Sequence, residues 1–289
     1  MSSIIIGIHG LANKPEKGML EDGWESSIKE GLDKNEGINN SEINFSSVYW
    51  ADILYKYPDS DAKLYVDSSS KCKTNSIYFE FFKRIWEEFR YYSSRSKTET
   101  LGKLIDFIYA KFPKDSYIFN VHNLFLINKY KELYFYYESH TIRNIVRKKL
   151  ENKLLENSDK KIMLISHSMG TIIAYDVLKY ISKKHPKLKI EHFVTLGSPL
   201  GLPYVKYRAK VSADYSLFNT PHNVSQWSNF SDKSDIVAFD TYLADDYEKN
   251  DNGILVKDCL VENNWCGSYH KSYGYLRTPE VSRVIKEFI

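Results

Sequence analysis

The chain has 289 residues, of which 43% are hydrophobic, enough for one large domain or two small ones. Its 40 lysines and arginines nearly balance 37 aspartates and glutamates, which leaves a formal net charge of +3. This excludes the strongly basic composition expected of a protein that binds nucleic acid or an anionic membrane surface. Three cysteines without paired spacing argue against a disulfide framework and favour a reducing compartment.

The N-terminus does not have the pattern expected of a signal peptide. It has no positively charged region, and the apolar run Ile4-Ile5-Ile6 is too short for a signal peptide. No segment approaches the roughly eighteen uninterrupted apolar residues of a membrane-spanning helix. We therefore predict a cytoplasmic protein without a transmembrane segment.

The first predicted element is a strand over Ile4–Ile8, an apolar, β-branched run typical of a strand buried on both faces of a parallel sheet. A loop over 9–15 ends it. A helix over Trp24–Leu32 and a second strand over Ile43–Trp50 follow. This order predicts a βαβ unit at the start of the chain.

Strands and helices alternate again in the second half of the chain. The sequence predicts strands over 161–165, 190–196, 224–230 and 254–256, a helix over 169–182, and a last helix that starts at Thr278-Pro279. This alternation predicts an α/β fold with a mostly parallel central sheet flanked by helices. We expect one domain that spans residues 1–289.

The segment 56–138 departs from this alternation because it is rich in aromatic and charged residues and has few strand signals. Between 77 and 89 its apolar residues recur at the spacing of an amphipathic helix, and 101–112 and 130–137 have similar patterns. We interpret 56–138 as a helical cap inserted into the α/β domain. Its aromatic side chains would pack on the core, cover an apolar substrate cleft, or do both.

The stretch KIMLISHSMG, residues 161–170, places Ser168 between a buried strand and a helix. It resembles G-x-S-x-G, the sharp turn that exposes a nucleophilic serine, with Ser166 in place of the first glycine. Small residues are needed two positions before and after the serine because strand and helix approach closely there. Gly170 is the small residue two positions after Ser168, and Ser166, two positions before it, is among the smallest residues after glycine. We expect the Ser166 hydroxyl to form a hydrogen bond within the turn.

Two glycine-containing loops follow other predicted strands. His9-Gly10-Leu11 follows the first strand and could supply a backbone N–H to an oxyanion hole. Residues 197–203, GSPLGLP, follow the strand over 190–196, at the edge where ligands bind in open α/β sheets. From these two loops we predict five substrate-binding residues: His9, Gly10, Ser198, Pro199 and Leu200.

A serine nucleophile also requires a base and an acid that orients the base. Asp235 lies in the loop after the strand over 224–230, and Asp232 in the same loop is the alternative acid. Of the eight histidines, only His270 follows both the serine and these carboxylates and lies between the last strand and the last helix. The sequence thus predicts Ser168, Asp235 and His270 as a catalytic set.

These segments resemble the α/β-hydrolase superfamily, in particular its bacterial lipase/esterase-like members. The order of oxyanion loop, serine, acid and histidine is that of the superfamily, and TLGSPLGLP and WSNFSDKSDIV are similar to its lipase-type segments. The resemblance covers roughly residues 1–55 and 140–289. It implies that Ser168 attacks an acyl carbonyl, His270 is the general base, Asp235 orients it, and the Leu11 and Met169 backbone N–H groups bind the oxyanion.

The resemblance implies a serine esterase that needs no metal or organic cofactor. We expect a carboxylic ester or lipid-like small molecule as substrate, with an apolar acyl group suggested by the aromatic insertion. A thioesterase or amidase with the same three residues is an alternative. A catalytically inactive hydrolase scaffold used for binding is another. The sequence does not predict an oligomeric state.

Overall fold

A computed structural model describes most of the chain outside residues 61–131. The described residues are 2–39, 42–60, 132–133, 135–202, 205–206, 208–210, 218–235, 237–238, 240–263, 265 and 268–289. Most of the predicted cap, 56–138, therefore lies outside the described residues. At its end, residues 132–133 and 135–138 are helical, one residue beyond the helix predicted over 130–137.

The described part of the chain forms a six-stranded sheet in which every neighbouring pair is parallel. The strands are β1 (Ser3–Ile8), β2 (Phe45–Val48), β3 (Lys161–His167), β4 (His192–Leu196), β5 (Trp227–Ser231) and β6 (Lys257–Leu260). Their order across the sheet is β2-β1-β3-β4-β5-β6. The prediction of a mostly parallel central sheet is confirmed.

Helices cover both faces of the sheet because the strand side chains alternate between them. The helices are α1 (Lys17–Glu36), α2 (His140–Leu155), α3 (Met169–Lys184), the short α4 (Ser272–Tyr275) and α5 (Pro279–Phe288). In β1, Ile4, Ile6 and Ile8 join the apolar cluster that contains α2 and α3. Ile5 points the other way and packs with α1 and α5. This alternation explains why β1 has no polar face in the sequence.

The order of the strands creates a crevice at the carboxyl ends of β1 and β3. The chain goes from β1 to β2 on one side and later returns to place β3 on the other side of β1. At such a reversal the connections leave in opposite directions, so the loops diverge and leave an opening where ligands bind. His9-Gly10-Leu11 follows β1 and Ser168 follows β3 directly, so the topology brings both to this crevice.

The prediction of the last strand was wrong in position. The apolar run 254–256 is not part of the sheet; β6 is formed by Lys257–Leu260, whose side chains are exposed or half-buried. Within the part of the chain that the structure describes, β6 is an edge strand paired with β5 alone. Its position is fixed by this pairing and by Asp258, whose carboxylate accepts hydrogen bonds from the Leu243 and Ala244 N–H groups. The distribution of apolar residues along the sequence predicts neither the strand pairing nor the Asp258 hydrogen bonds.

The first helix was predicted too short, since α1 extends to Lys17 and Glu36 on either side of the predicted 24–32. The other predicted strands and α3 agree with the structure to within a few residues at each end. Among the described residues, no helix is both long and apolar enough to cross a membrane.

The first turn of α3 lies directly against the end of β1, and Gly170 makes this approach possible. A Cβ at residue 170 would lie 2.6 Å from the Ile8 carbonyl oxygen and 2.7 Å from the His9 carbonyl oxygen. Both are backbone atoms in a buried strand end and cannot move independently. A side chain at this position therefore requires α3 to shift away from the sheet.

We expect Gly170→Ala to lower the free energy of unfolding by about 1–3 kcal/mol, as overpacking does elsewhere. The measurement is urea unfolding followed by tryptophan fluorescence. Gly18→Ala is the matched control because a Cβ there meets nothing within 4 Å; we expect it to be neutral or slightly stabilising, as alanine is in a helix. Equal stability of the two variants would contradict the proposed contact.

Candidate active site

Ser168 occupies a strained turn between β3 and α3. Its φ is 55° and its ψ is −129°, a conformation that non-glycine residues rarely adopt. Its N–H donates to the Leu196 carbonyl of β4 at 3.0 Å, which ties the turn to the sheet. Gly10 lies so close that a Cβ there would come within 2.6 Å of the Ser168 Cβ. Strain of this kind persists only where surrounding contacts impose it, and such positions cluster at functional sites.

Ser166 is fully buried in β3, between Ile8 and Thr195 on the neighbouring strands. Its hydroxyl donates to the Val194 carbonyl oxygen at 2.9 Å. The prediction of a hydrogen bond within the turn was therefore wrong, because the acceptor belongs to β4. Ser166 fits this position because it is small and its hydroxyl is satisfied by the adjacent strand.

The structure brings Ser168, His270 and Asp235 together in one hydrogen-bonded line. The His270 Nε2 lies 2.9 Å from the Ser168 Oγ, and its Nδ1 lies 2.7 Å from the Asp235 Oδ2. The Asp235 side chain is completely buried, whereas the His270 side chain remains 21% exposed. The hydrogen-bonded line thus begins at a carboxylate that is shielded from solvent and ends at Ser168, and the imidazole between them is partly exposed to solvent.

Four donors surround the Asp235 carboxylate. Oδ1 accepts from the Val237 and Ala238 N–H groups at 2.9 and 3.4 Å, while Oδ2 accepts from His270 and from the Tyr275 hydroxyl at 2.7 Å. A buried carboxylate stays charged only if such donors replace its water. Burial and the neighbouring Asp235 carboxylate raise the pKa of Tyr275 well above its usual value, so the hydroxyl keeps its proton and remains a donor.

Sequence reasoning missed Tyr275. It belongs to the short helix α4, five residues after His270. One of 23 tyrosines in the chain gives no local signal of such a contact. Its position five residues after His270 is the only sequence feature that connects it with the site.

Asp232, the alternative acid, has a different environment. Its Oδ1 accepts from the Ser234 N–H at 2.7 Å and its Oδ2 from the Asn263 N–H at 2.5 Å. These bonds connect the loop after β5 to the segment after β6. Of the two carboxylates left open by the sequence, the structure places Asp235 against His270, and Asp232 holds the supporting loops.

His167, the last residue of β3, was not among the predicted site residues. Its Nε2 lies 2.8 Å from the His270 carbonyl oxygen, and the two rings are 4.8 Å apart. Burial, and to a smaller extent the neighbouring His270, lower the pKa of His167 well below its usual value. A neutral His167 therefore donates its Nε2 proton to the His270 backbone and holds the loop that carries the imidazole.

His9 was predicted to bind substrate, and the structure gives its ring other partners. The Trp50 N–H donates to the His9 Nε2 at 3.0 Å, the two rings stack at 5.0 Å, and Nδ1 lies 2.9 Å from the Gly10 carbonyl oxygen. Burial lowers the pKa of His9 well below its usual value, so Nδ1 carries the single proton and donates it to Gly10. Both ring nitrogens are occupied, and a substrate contact by His9 stays a prediction.

The loop after β4 contributes Ser198, Pro199 and Leu200, all of them buried. The Ser198 hydroxyl is 2.9 Å from the Thr171 hydroxyl in the first turn of α3 and accepts from the Leu200 N–H at 3.2 Å. Leu200 borders a small, mainly apolar cavity. Its lining comprises Tyr137, Arg143, Ile172, Tyr175, Asp176, Leu200, Val205, Ala209 and Tyr247.

The two backbone groups predicted to bind an oxyanion are at the same crevice. Met169 is the first residue of α3, so its N–H has no acceptor inside the helix. Within the described ranges, neither this N–H nor that of Leu11 donates to a protein acceptor. The same ranges contain no group of three or more His, Cys, Asp or Glu side chains that could hold a metal ion.

Comparison with known families agrees with this architecture. Residues 80–264, more than half of the chain, match the family model described as PGAP1-like alpha/beta domain. This family is an α/β-hydrolase family, which supports the superfamily resemblance of the sequence. The matched range contains Ser168 and Asp235, whereas Gly10 and His270 lie outside it. No curated protein matches the chain.

The strained conformation of Ser168 has a measurable effect on stability. We expect Ser168→Gly to be more stable than Ser168→Ala by roughly 1–2 kcal/mol, because glycine has no Cβ to oppose a positive φ. Urea unfolding of the two variants measures the difference. At Ser182, inside α3, the order should reverse, with glycine about 1 kcal/mol less stable than alanine. An alanine variant at 168 as stable as the glycine variant would contradict the strain.

Two of the buried histidines, His9 and His167, make the stability near the site depend on pH. Because His9 and His167 have lowered pKa values in the folded state, the unfolded chain binds more protons below about pH 6.5. The free energy of unfolding should therefore fall as the pH drops below 6.5. In His167→Gln the slope should be smaller by up to about 1.4 kcal/mol per pH unit. Urea unfolding at pH 7.5, 6.5 and 5.5 tests this, and parallel curves would contradict a neutral His167.

Proposed function

The chain belongs to the PGAP1-like alpha/beta domain family, and from this premise we propose that it is a serine hydrolase with Ser168 as its nucleophile. One observation carries the proposal: the hydrogen-bonded line Ser168–His270–Asp235 at the switch point of a parallel sheet. A serine hydroxyl is a weak nucleophile unless an adjacent base removes its proton. The line supplies this base and a carboxylate that orients it.

In the proposed mechanism, the Ser168 Oγ attacks an acyl carbonyl carbon while its proton moves to the His270 Nε2. Asp235 stays ionised, holds the Nδ1 proton and stabilises the imidazolium that forms. When the tetrahedral intermediate collapses, His270 gives its proton to the leaving group. A water molecule then loses a proton to His270 and attacks the acyl-enzyme, which releases the acid and restores the serine.

The Leu11 and Met169 N–H groups are the proposed donors to the oxyanion. Support comes from their location: Met169 begins a helix, where the aligned peptide dipoles favour negative charge, and Gly10 contacts Ser168. Donors fixed in this way need no rearrangement when the charge develops, which is the basis of oxyanion stabilisation.

We propose a carboxylic ester with an apolar acyl group as the substrate. The apolar side chains of Leu200, in the loop after β4, and of Ile172, one helical turn beyond Ser168, support this. A thioester or an amide could be cleaved by the same residues. The inactive scaffold is disfavoured because serine, base and acid are all present and hydrogen-bonded.

The decisive experiment is labelling by a fluorophosphonate probe, which reacts with activated serines. We expect the intact protein to be labelled and Ser168→Ala to lose labelling completely. His270→Ala should lower the labelling rate by roughly 10³-fold or more, since loss of a triad member removes most of the activation. Undiminished labelling of Ser168→Ala, or no labelling of the intact protein, would contradict the proposed function.

The variants Asp235→Asn and Asp232→Asn together test which of the two carboxylates orients His270. The first changes the partner of His270. The second changes a carboxylate whose partners among the described residues are the Ser234 and Asn263 N–H groups. Labelling should fall strongly in the first, and in the second only as far as its unfolding midpoint falls. Assay of an ester, a thioester and an anilide of the same acyl chain then distinguishes the three substrate classes.

A further inference from the structure

A buried carboxylate outside the catalytic line contacts the loop after β1. Glu132, 95% buried, precedes α2 and accepts the Ala12 N–H with both of its oxygens, at 3.2 and 3.0 Å. The Tyr55 hydroxyl donates to the same carboxylate. Glu132 therefore joins the end of the 56–138 segment to the loop that holds Gly10 and Leu11.

Ala12 needs such a partner because of its backbone conformation. Its φ is 71°, in the left-handed region that an alanine side chain disfavours. Ala12 itself is exposed, so apolar packing does not hold it there. The hydrogen bonds that the Ala12 N–H donates to the Glu132 carboxylate oppose this strain, together with the bond from the Lys14 ammonium group to the Ala12 carbonyl oxygen at 2.9 Å. Charge-assisted bonds of this kind are stronger than neutral ones.

The peptide unit between Leu11 and Ala12 is held at both ends. Its N–H is bound by Glu132, and its oxygen, the Leu11 carbonyl, accepts from the Lys14 ammonium group. Because a peptide unit is planar, fixing the two ends fixes the orientation of the whole plane.

The preceding peptide unit, between Gly10 and Leu11, is fixed in a similar way. His9 donates its Nδ1 proton to the Gly10 carbonyl oxygen. In a trans peptide the N–H points opposite to the C=O, so this bond also sets the direction of the Leu11 N–H. Leu11 is thus the residue shared by two clamped peptide units, and its N–H is the proposed oxyanion donor.

We propose that Glu132 is a positioning residue for the oxyanion-binding backbone: it holds the Ala12 peptide in the orientation that keeps the Leu11 N–H at the crevice. This rests on the proposed function. Glu132 touches neither Ser168 nor His270 in the structure, so it acts only through the loop. The inserted segment thereby contributes to the site by orienting its backbone.

Glu132→Gln keeps the size of the side chain and removes its charge. We expect kcat to fall roughly 10- to 100-fold, less than the loss of a whole oxyanion donor, with KM changed less than about twofold. The inhibition constant of an aryl trifluoromethyl ketone, which forms a tetrahedral adduct on serine, should rise by the same factor as kcat falls. Glu132→Ala should show the same pattern with larger changes.

Glu151→Gln is the matched control. Glu151 is also a buried carboxylate, but its partners are Lys184 and His185, away from the loop. It should leave kcat and the inhibition constant unchanged. A cooperative thermal unfolding transition shows that each variant is folded. If Glu132→Ala is not folded, the kcat and inhibition constant of Glu132→Gln alone test the positioning role.

The outcomes separate this inference from the proposed function. If the intact protein does not react with a fluorophosphonate, the proposed function has failed. If it reacts and the folded Glu132 variants keep the kcat of the intact protein, only the positioning role is overturned. The same holds if kcat falls while the ketone inhibits as well as before, because the oxyanion site would then be intact.

Discussion

Ser168 joins β3 to α3 without an intervening loop, and this abrupt connection constrains everything around it. A chain that turns from strand to helix at one residue must place that residue at a positive φ, here 55°. The two elements then approach so closely that residues 10 and 170 have no room for side chains. The strain is sustained by the surrounding sheet and helix, as expected of functional sites. The same connection places the serine hydroxyl directly before the first N–H of α3.

A second constraint is that polar and ionisable side chains at the site are buried and must find hydrogen-bond partners within the protein. The Asp235 carboxylate is enclosed, so its donors come from the protein: two backbone N–H groups, Tyr275 and His270. The histidines next to the site have the opposite requirement, and His9 and His167 are buried in the neutral form. Each uses one N–H to hold a backbone carbonyl. The site thus combines one carboxylate that accepts four hydrogen bonds from the protein with two neutral imidazoles that hold loops.

Much of the fold followed from the sequence because apolar runs and turn residues are local signals. The β-branched run of β1, the serine-containing turn and the order of Asp235 and His270 could all be read along the chain. The location of β6 could not, since an edge strand is selected by pairing with β5 and not by its own apolarity. In the structure Asp235, and not Asp232, lies within hydrogen-bond distance of His270. The spacing of these residues along the sequence does not predict that distance.

Tyr275, His167 and Glu132 were missed for one common reason. Each acts through a partner that is distant in the sequence or through the backbone, so neither residue type nor spacing marks it. The sequence by itself determined the parallel α/β architecture, the candidate serine and histidine, and a choice between two carboxylates, because apolar periodicity and chain order are local features of the sequence. Only the tertiary structure decided which carboxylate meets His270 and which groups hold the loops, because hydrogen bonds depend on distances of about 3 Å between atoms that only folding brings together.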